Sequence, residues 1–297
     1  MKELVIISGK GGTGKTSVAA SLALLAHDAV LVDADVDAAD MHLLAQPEIL
    51  HEEDFFGGSK AVINLDLCTG CGLCREHCAF DAISEDFVIK HIGCEGCGVC
   101  VHICPEKAID FPKSLSGRWF VSNTRLGPMV HARLGIAEEN SGKLVALVRG
   151  KGRELAKEHG TDLILTDGPP GIGCPVIAAV TGASAVLIVT EPTVSGSHDM
   201  ERTAQLARHF NVPTLVVVNK DDLNPQVFTQ IARYAEDNQM TFLGGIPYDQ
   251  DVTRAMVAGK CVVEFSSGPA AAAIKKLWEK VAGYLAELPD PDGKLDE

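Results

Sequence analysis

Short apolar runs alternate with longer stretches of helical period along most of this chain. Leu4-Val5-Ile6-Ile7 is continuous aliphatic sequence, the pattern of a strand buried on both faces. Ser17 to Leu25 reads as a helix, and Ala29-Val30-Leu31-Val32 as a second buried strand. Further on, Lys143 to His159 has helical spacing, and Leu163 to Thr166 is again a strand. Ala185 to Thr190, Gly196 to Phe210 and Thr214 to Val218 continue as strand, helix, strand, and Ala270 to Leu288 carries Ile274, Leu277, Trp278, Val281 and Leu285 on one helical stripe. Such alternation predicts an α/β fold on a mostly parallel, doubly wound sheet. Arg118-Trp119-Phe120-Val121-Ser122 adds a strand. The segment through His131 to the polar Glu138-Glu139-Asn140-Ser141-Gly142-Lys143 shows little chemistry, and His131 reads as a core or surface histidine.

The pattern breaks between Lys60 and Pro112, where eight of the ten cysteines fall. Cys68, Cys71, Cys74 and Cys78 recur 26 residues later as Cys94, Cys97, Cys100 and Cys104, each set spaced C-x2-C-x2-C-x3-C. Two zinc sites would use the same eight thiolates, but this spacing is uncommon for zinc. The run is similar to that of bacterial two-cluster ferredoxins, in which the fourth cysteine of each set crosses to the other cluster. The resemblance implies two 4Fe-4S clusters, one on Cys68, Cys71, Cys74 and Cys104, the other on Cys94, Cys97, Cys100 and Cys78. Ala79 stands where the second set has Pro105, which predicts a looser turn and an altered environment for the first cluster.

Composition narrows the class. The chain has 297 residues, 46% apolar and 22% charged, enough for one large α/β domain and a small one. A net charge of −14 argues against nucleic acid and against an anionic membrane surface as partners. The first residues run into a strand with no leader pattern or long apolar run, so the expected location is cytoplasmic. Cysteines there are metal ligands or reactive thiols rather than disulfides. The boundaries expected are 1–59 and 113–288 for a split nucleotide domain, 60–112 for the cysteine-rich insert, and 289–297 for a disordered acidic tail.

Gly9 to Thr16 satisfies the phosphate-loop pattern G-x-x-x-x-G-K-S/T, between the first strand and first helix as that pattern requires. Successive backbone N–H groups and the helix N-terminus face phosphate, Lys15 sits on the phosphates, and Thr16 on Mg2+. Asp33, Asp35, Asp37 and Asp40 follow the second strand, at the edge where parallel sheets bind ligands. Leu163 to Asp167 and Gly168-Pro169-Pro170-Gly171 read as a Walker B strand and a γ-phosphate-sensing turn.

A second lysine inside the loop, Lys10, makes K-G-G-T-G-K-T. This resembles the deviant Walker A motif of the MinD/ParA/Mrp group of ATPases, to which nitrogenase iron protein belongs. The resemblance implies an ATP-dependent homodimer in which Lys10 reaches the partner's phosphates. It places the phosphates on Gly11, Gly12, Thr13, Gly14, Lys15, Thr16 and Ser17, Mg2+ on Thr16 and Asp167, and the hydrolytic water on Asp35, with Asp33 behind it. Asn219-Lys220-Asp221-Asp222 fits the guanine-reading pattern N-K-x-D, so the residues leave the base open. The family instead implies ATP, with Asn219, Pro247 and Tyr248 at the adenine.

Cys174, beside Pro175 at a helix start, is either a packed residue or a ligand at the dimer seam, and Cys261 reads as a small buried hydrophobe. The functional expectation is an iron–sulfur ATPase that couples ATP to electron transfer to a redox partner. Delivery of a cluster or metal to an apo-metalloprotein is the first alternative, and a ParA-like positioning switch the second.

Overall fold

The computed structural model describes residues 1–135 and 140–289. Glu138 and Glu139 of the polar stretch, and all of the expected tail after residue 289, lie outside them. In chain order come β1 (Lys2–Ser8), α1 (Lys15–Ala26), β2 (Val30–Asp33), α2 (Met41–Ala45) and β3 (Glu48–Ser59). The cysteine-rich segment holds β4 (Val62–Ile63), α3 (Leu73–Glu76), α4 (Val99–Ile103) and β5 (Ile109–Asp110). Then follow β6 (Lys113–Thr124), β7 (Gly127–Leu134), α5 (Ser141–His159), β8 (Leu163–Pro170), α6 (Cys174–Val180), β9 (Ala185–Thr190) and α7 (Val194–His209). The chain continues through β10 (Thr214–Asn219), α8 (Pro225–Asp237), β11 (Thr241–Ile246), α9 (Gln250–Val257), α10 (Val262–Phe265) and α11 (Pro269–Glu287).

Among the described residues one sheet has nine strands in the order β11-β10-β9-β1-β8-β2-β7-β6-β3. From β11 to β7 every neighbour is parallel; β6 and β3 close that edge antiparallel. Alternation along β1 explains the double winding. Leu4 and Ile6 enter the core under α1, α10 and α11, while Val5 and Ile7 enter the core under α5, α6, α7 and α8.

Glu3 interrupts that apolar strand, yet it is buried. Its carboxylate accepts two bonds from Arg149, at 2.7 and 2.9 Å, two from Arg153, at 2.7 and 3.1 Å, and one from Thr166 at 3.0 Å. Arg149 also donates to the carbonyls of Ala178 and Thr181, at 2.6 and 2.9 Å, and so satisfies the end of α6 from α5.

The β3–β6 ribbon was not legible as two long strands. Its exposed middle, His51-Glu52-Glu53-Asp54, lacks an apolar period, and pairing with β6 replaces it: Arg118 bridges Glu52 at 2.6 Å and Asp54 at 3.0 Å. The cysteine-rich segment hangs from the end of this ribbon. The Lys60 amide donates to the Pro112 carbonyl (3.2 Å) across its neck, and it has its own small core of Ala61, Cys74, Ile83 and Ile109.

Candidate functional site

The turn between β1 and α1 lies at the carboxyl edge of the parallel strands. Gly12 and Gly14 adopt φ values of 80° and 86°, which only glycine holds without strain. Gly14 is also crowded: a Cβ there would lie 2.4 Å from the side-chain amide of Asn219. That amide donates to the Thr13 carbonyl (2.8 Å), so Asn219 braces the loop from the end of β10. Gly11 has open space around it, and Thr13 is buried. Ser17 Oγ lies 3.3 Å from Met256 Sδ of α9.

Below the loop, Lys15, Thr16, Asp33, Asp35 and Asp167 form one cluster. β2 pairs with β8 so that Asp33 stands opposite Asp167. Lys15 Nζ lies 2.7 Å from Asp167 Oδ1 and 3.3 Å from Asp35 Oδ2; Thr16 Oγ1 donates to Asp167 Oδ2 (2.7 Å). Burial works against the Lys15 charge, but Asp167 and Asp35 outweigh it and hold its pKa above the ordinary value. Burial raises Asp33 well above the ordinary carboxylate range, Asp167 adding to it, and raises Asp35 as well, with Lys15 opposing. Asp33 Oδ1 accepts the Asp35 amide (3.2 Å), while its buried Oδ2 has no hydrogen-bond partner. The Thr16 hydroxyl and the Asp167 carboxylate, with the orphaned Asp33 oxygen nearby, are hard oxygen donors of the kind a divalent cation takes.

The remaining predicted residues sit around this cluster. Lys10 is turned toward the end of β9, with Nζ 3.4 Å from Glu191 Oε2 and 3.4 Å from Ser195 Oγ. Asn219 is in register with Ile246, so Pro247 and Tyr248 leave β11 beside it. Tyr248 is 54% exposed and its amide donates to Asp222 Oδ1 (2.9 Å). Lys220 reaches Glu191 Oε1 at 2.5 Å. The lysine and aspartate of the N-K-x-D pattern are thus both engaged within the protein. Glu191 escaped the sequence reading; a buried carboxylate directly after an apolar parallel strand was its only signal.

The eight cysteines sort into two cavities. Cys68, Cys71, Cys74 and Cys104 line one, with Phe87 and Pro105; Cys78, Cys94, Cys97 and Cys100 line the other, with Phe80 and Ile89. The described residues contain no three His, Cys, Asp or Glu side chains convergent on a single ion, and each thiol quartet is spread around its cavity. Burial pushes the Cys74 and Cys100 thiols up.

The expectation for Ala79 needs correction. The Cys78 and Cys104 sulfurs each accept an amide four residues on, Ala82 and Ala108, both at 3.4 Å. Asp81 and Lys107 hold equivalent left-handed positions, φ 48° and 51°. The turn after Cys78 is therefore as closed as that after Cys104 without a proline, and Cys78 lines the cavity of the second set rather than the first.

His131 is a core residue: burial depresses its pKa to about 4, and it stacks on Phe120 at 4.9 Å and bonds Ser122 at 2.9 Å. Cys261 is buried, its thiol pushed up by burial to about 11. Cys174 is exposed at the start of α6. No helix among the described residues is long and apolar enough to cross a membrane.

The model of the CobQ/CobB/MinD/ParA nucleotide binding domain matches residues 4–262. The chain belongs to this family, and it is a P-loop ATPase of the MinD/ParA type. It is 34% identical to an uncharacterized protein of Methanocaldococcus jannaschii, over 95% of this chain and 97% of that one. It is 28% identical to the iron-sulfur cluster carrier protein of Pyrococcus horikoshii, over 45% of this chain and 49% of that one. The septum site-determining protein MinD of Pyrococcus horikoshii, solved with Mg-ADP, shares the fold with a TM-score of 0.58 at 18% identity, over 97% of this chain and 99% of that one.

Proposed function

We propose that this chain is a dimeric, iron–sulfur-binding ATPase that uses ATP binding and hydrolysis to control electron transfer to a partner protein. The observation that carries the reading is the sorting of eight cysteines into two four-thiol cavities, with Cys78 and Cys104 exchanged between the sets. Four thiols around each cavity fit a 4Fe-4S cluster, which when bound supplies one-electron transfer. The amides of Ala82 and Ala108 donate to the sulfurs of Cys78 and Cys104, the kind of outer hydrogen bond that tunes a cluster. Cys74 lies in the segment's small core with Cys78, Cys94, Cys100 and Cys104 packed against it, a setting for a resident cluster, which favours electrons over cargo.

The ATPase half works through its own residues. Lys15 and the loop amides bind the phosphates, and Lys10 adds charge from the opposite protomer of the dimer. Thr16 and Asp167 would hold Mg2+. Asp35 orients the attacking water, and Asn219, Pro247 and Tyr248 border the base.

The second reading, delivery of a cluster or metal to an apo-metalloprotein, is favoured by the similarity to an iron-sulfur cluster carrier protein over 45% of this chain. One anaerobic experiment separates them. The reduced protein is titrated by EPR with and without Mg-ATP, in wild type and Lys15→Ala, while iron per chain is followed. An ATP-dependent signal in wild type alone, with iron steady at about eight per chain, two four-iron clusters, supports electron transfer. Iron leaving to an apo-acceptor during turnover supports the carrier.

A further inference from the structure

We infer that Glu191 is a cis clamp on Lys10, and that Lys220 is the placeholder that lets the clamp open. The inference rests on the reading above that Lys10 acts across an ATP-bound dimer.

Three chain segments meet at this carboxylate. Glu191 follows β9, Lys220 follows β10, and Lys10 stands in the phosphate loop after β1, beside β9 in the sheet. Glu191 is only 8% exposed. Its two oxygens are divided: Oε1 takes Lys220 at 2.5 Å, and Oε2 takes Lys10 at 3.4 Å. The loop is seated firmly just before Lys10, since a Cβ on Gly9 would lie 2.4 Å from Asp199 Cβ of α7. Lys10 itself is 34% exposed and, among the described residues, bonds further to Ser195, at 3.4 Å.

The asymmetry decides the behaviour. A buried carboxylate that loses its one cation carries a large desolvation cost, so a lone pair would trap Lys10. Here Lys220 stays on the other oxygen, and Glu191 remains compensated when Lys10 leaves. The Lys10 contact is the longer of the two, 3.4 against 2.5 Å at similar lysine exposure, and long, partly exposed pairs are weak. Triphosphate presented by an opposing protomer offers more charge and draws Lys10 away. Without it, Lys10 rests in cis and the dimer does not form.

The two neighbours of Lys10 must therefore act in opposite directions. The test uses the full chain with its iron–sulfur complement, Mg2+ and a non-hydrolysable ATP analogue, with dimerisation followed by sedimentation velocity. Glu191→Gln frees Lys10 and lowers the analogue concentration at half-dimerisation by about tenfold, one partly exposed pair being relieved in each protomer. Lys220→Met leaves Glu191 to Lys10 alone and raises that concentration by a similar factor. Analogue affinity, measured at protein concentrations too low for dimers, stays the same in both. Shifts in the same direction, no shift, or a matching change in monomer affinity would overturn the clamp. Lys10→Ala is the separate control: if it dimerises like wild type, the cross-dimer role of Lys10 fails, whatever Glu191 does.

Discussion

At the scale of single residues, Lys15 and His131 illustrate opposite uses of burial. Lys15 faces Asp33, Asp35 and Asp167, and its charge is held by them despite desolvation. Lys15→Ala is expected to weaken ATP binding at least about a hundredfold, as losing one member of a buried, hydrogen-bonded charge set does; fluorescent-nucleotide titration checks it. His131 is held neutral, its pKa lowered from 6.5 to about 4. Between these values the unfolded chain binds more protons than the folded one, so stability falls as pH drops through that window. The loss by pH 4 is on the order of 2–3 kcal/mol, since one pKa unit corresponds to about 1.4 kcal/mol. Urea unfolding at pH 7 and pH 5 reads it, and His131→Asn should flatten the difference. That Lys15, Thr16 and Asp167 lie together was readable because phosphate chemistry demands those types at those spacings. Glu191 and Glu3 were not, because a buried carboxylate is explained only by cations distant in sequence.

At the scale of elements, α5 ties the β3–β6 ribbon to α6 and β1. Its first turn reaches the ribbon, where Lys143 Nζ donates to the Gly57 carbonyl (3.1 Å), and Gly142 packs at the start of α6, where an added Cβ would lie 3.3 Å from the Cys174 carbonyl oxygen. Its middle holds Glu3 and the end of α6 through Arg149. Arg149→Ala leaves Glu3 to Arg153 and Thr166 and strands two carbonyls, and a loss of about 2–4 kcal/mol is expected in chemical denaturation. By contrast Asn224 only caps α8, accepting the amides of Gln226 and Val227 at 3.1 and 3.2 Å, so Asn224→Ala should cost about 1 kcal/mol in the same measurement. Helices α1, α5, α7 and α11 and strands β1, β2, β8, β9 and β10 were legible because both faces of the sheet demand apolar residues. Strand β7 and the length of the β3–β6 ribbon, of which only Arg118 to Ser122 reads as a strand, were not, because the ribbon's partly solvated faces impose no such demand.

At the scale of the whole molecule, the exchange of fourth cysteines makes a pairwise prediction. On the iron–sulfur reading proposed above, Cys104→Ser should abolish the same cluster as Cys68→Ser, and Cys78→Ser the same one as Cys94→Ser. In every case iron falls from about eight to about four per chain, one four-iron cluster remaining. Iron analysis with EPR of each variant checks the grouping; loss of the local set's cluster instead would contradict the lining of the two cavities.

The motifs, their order and the alternation of strand and helix determined the nucleotide loop, the acidic edge and the two cysteine sets, because local spacing is enough to present amides, carboxylates or thiols to one ligand. Tertiary structure alone decided that the insert hangs from an antiparallel edge ribbon, that α5 links that ribbon to α6, and that Lys10 and Lys220 share Glu191. Those pairings join residues far apart in the chain, and only the sheet order brings them within hydrogen-bonding distance.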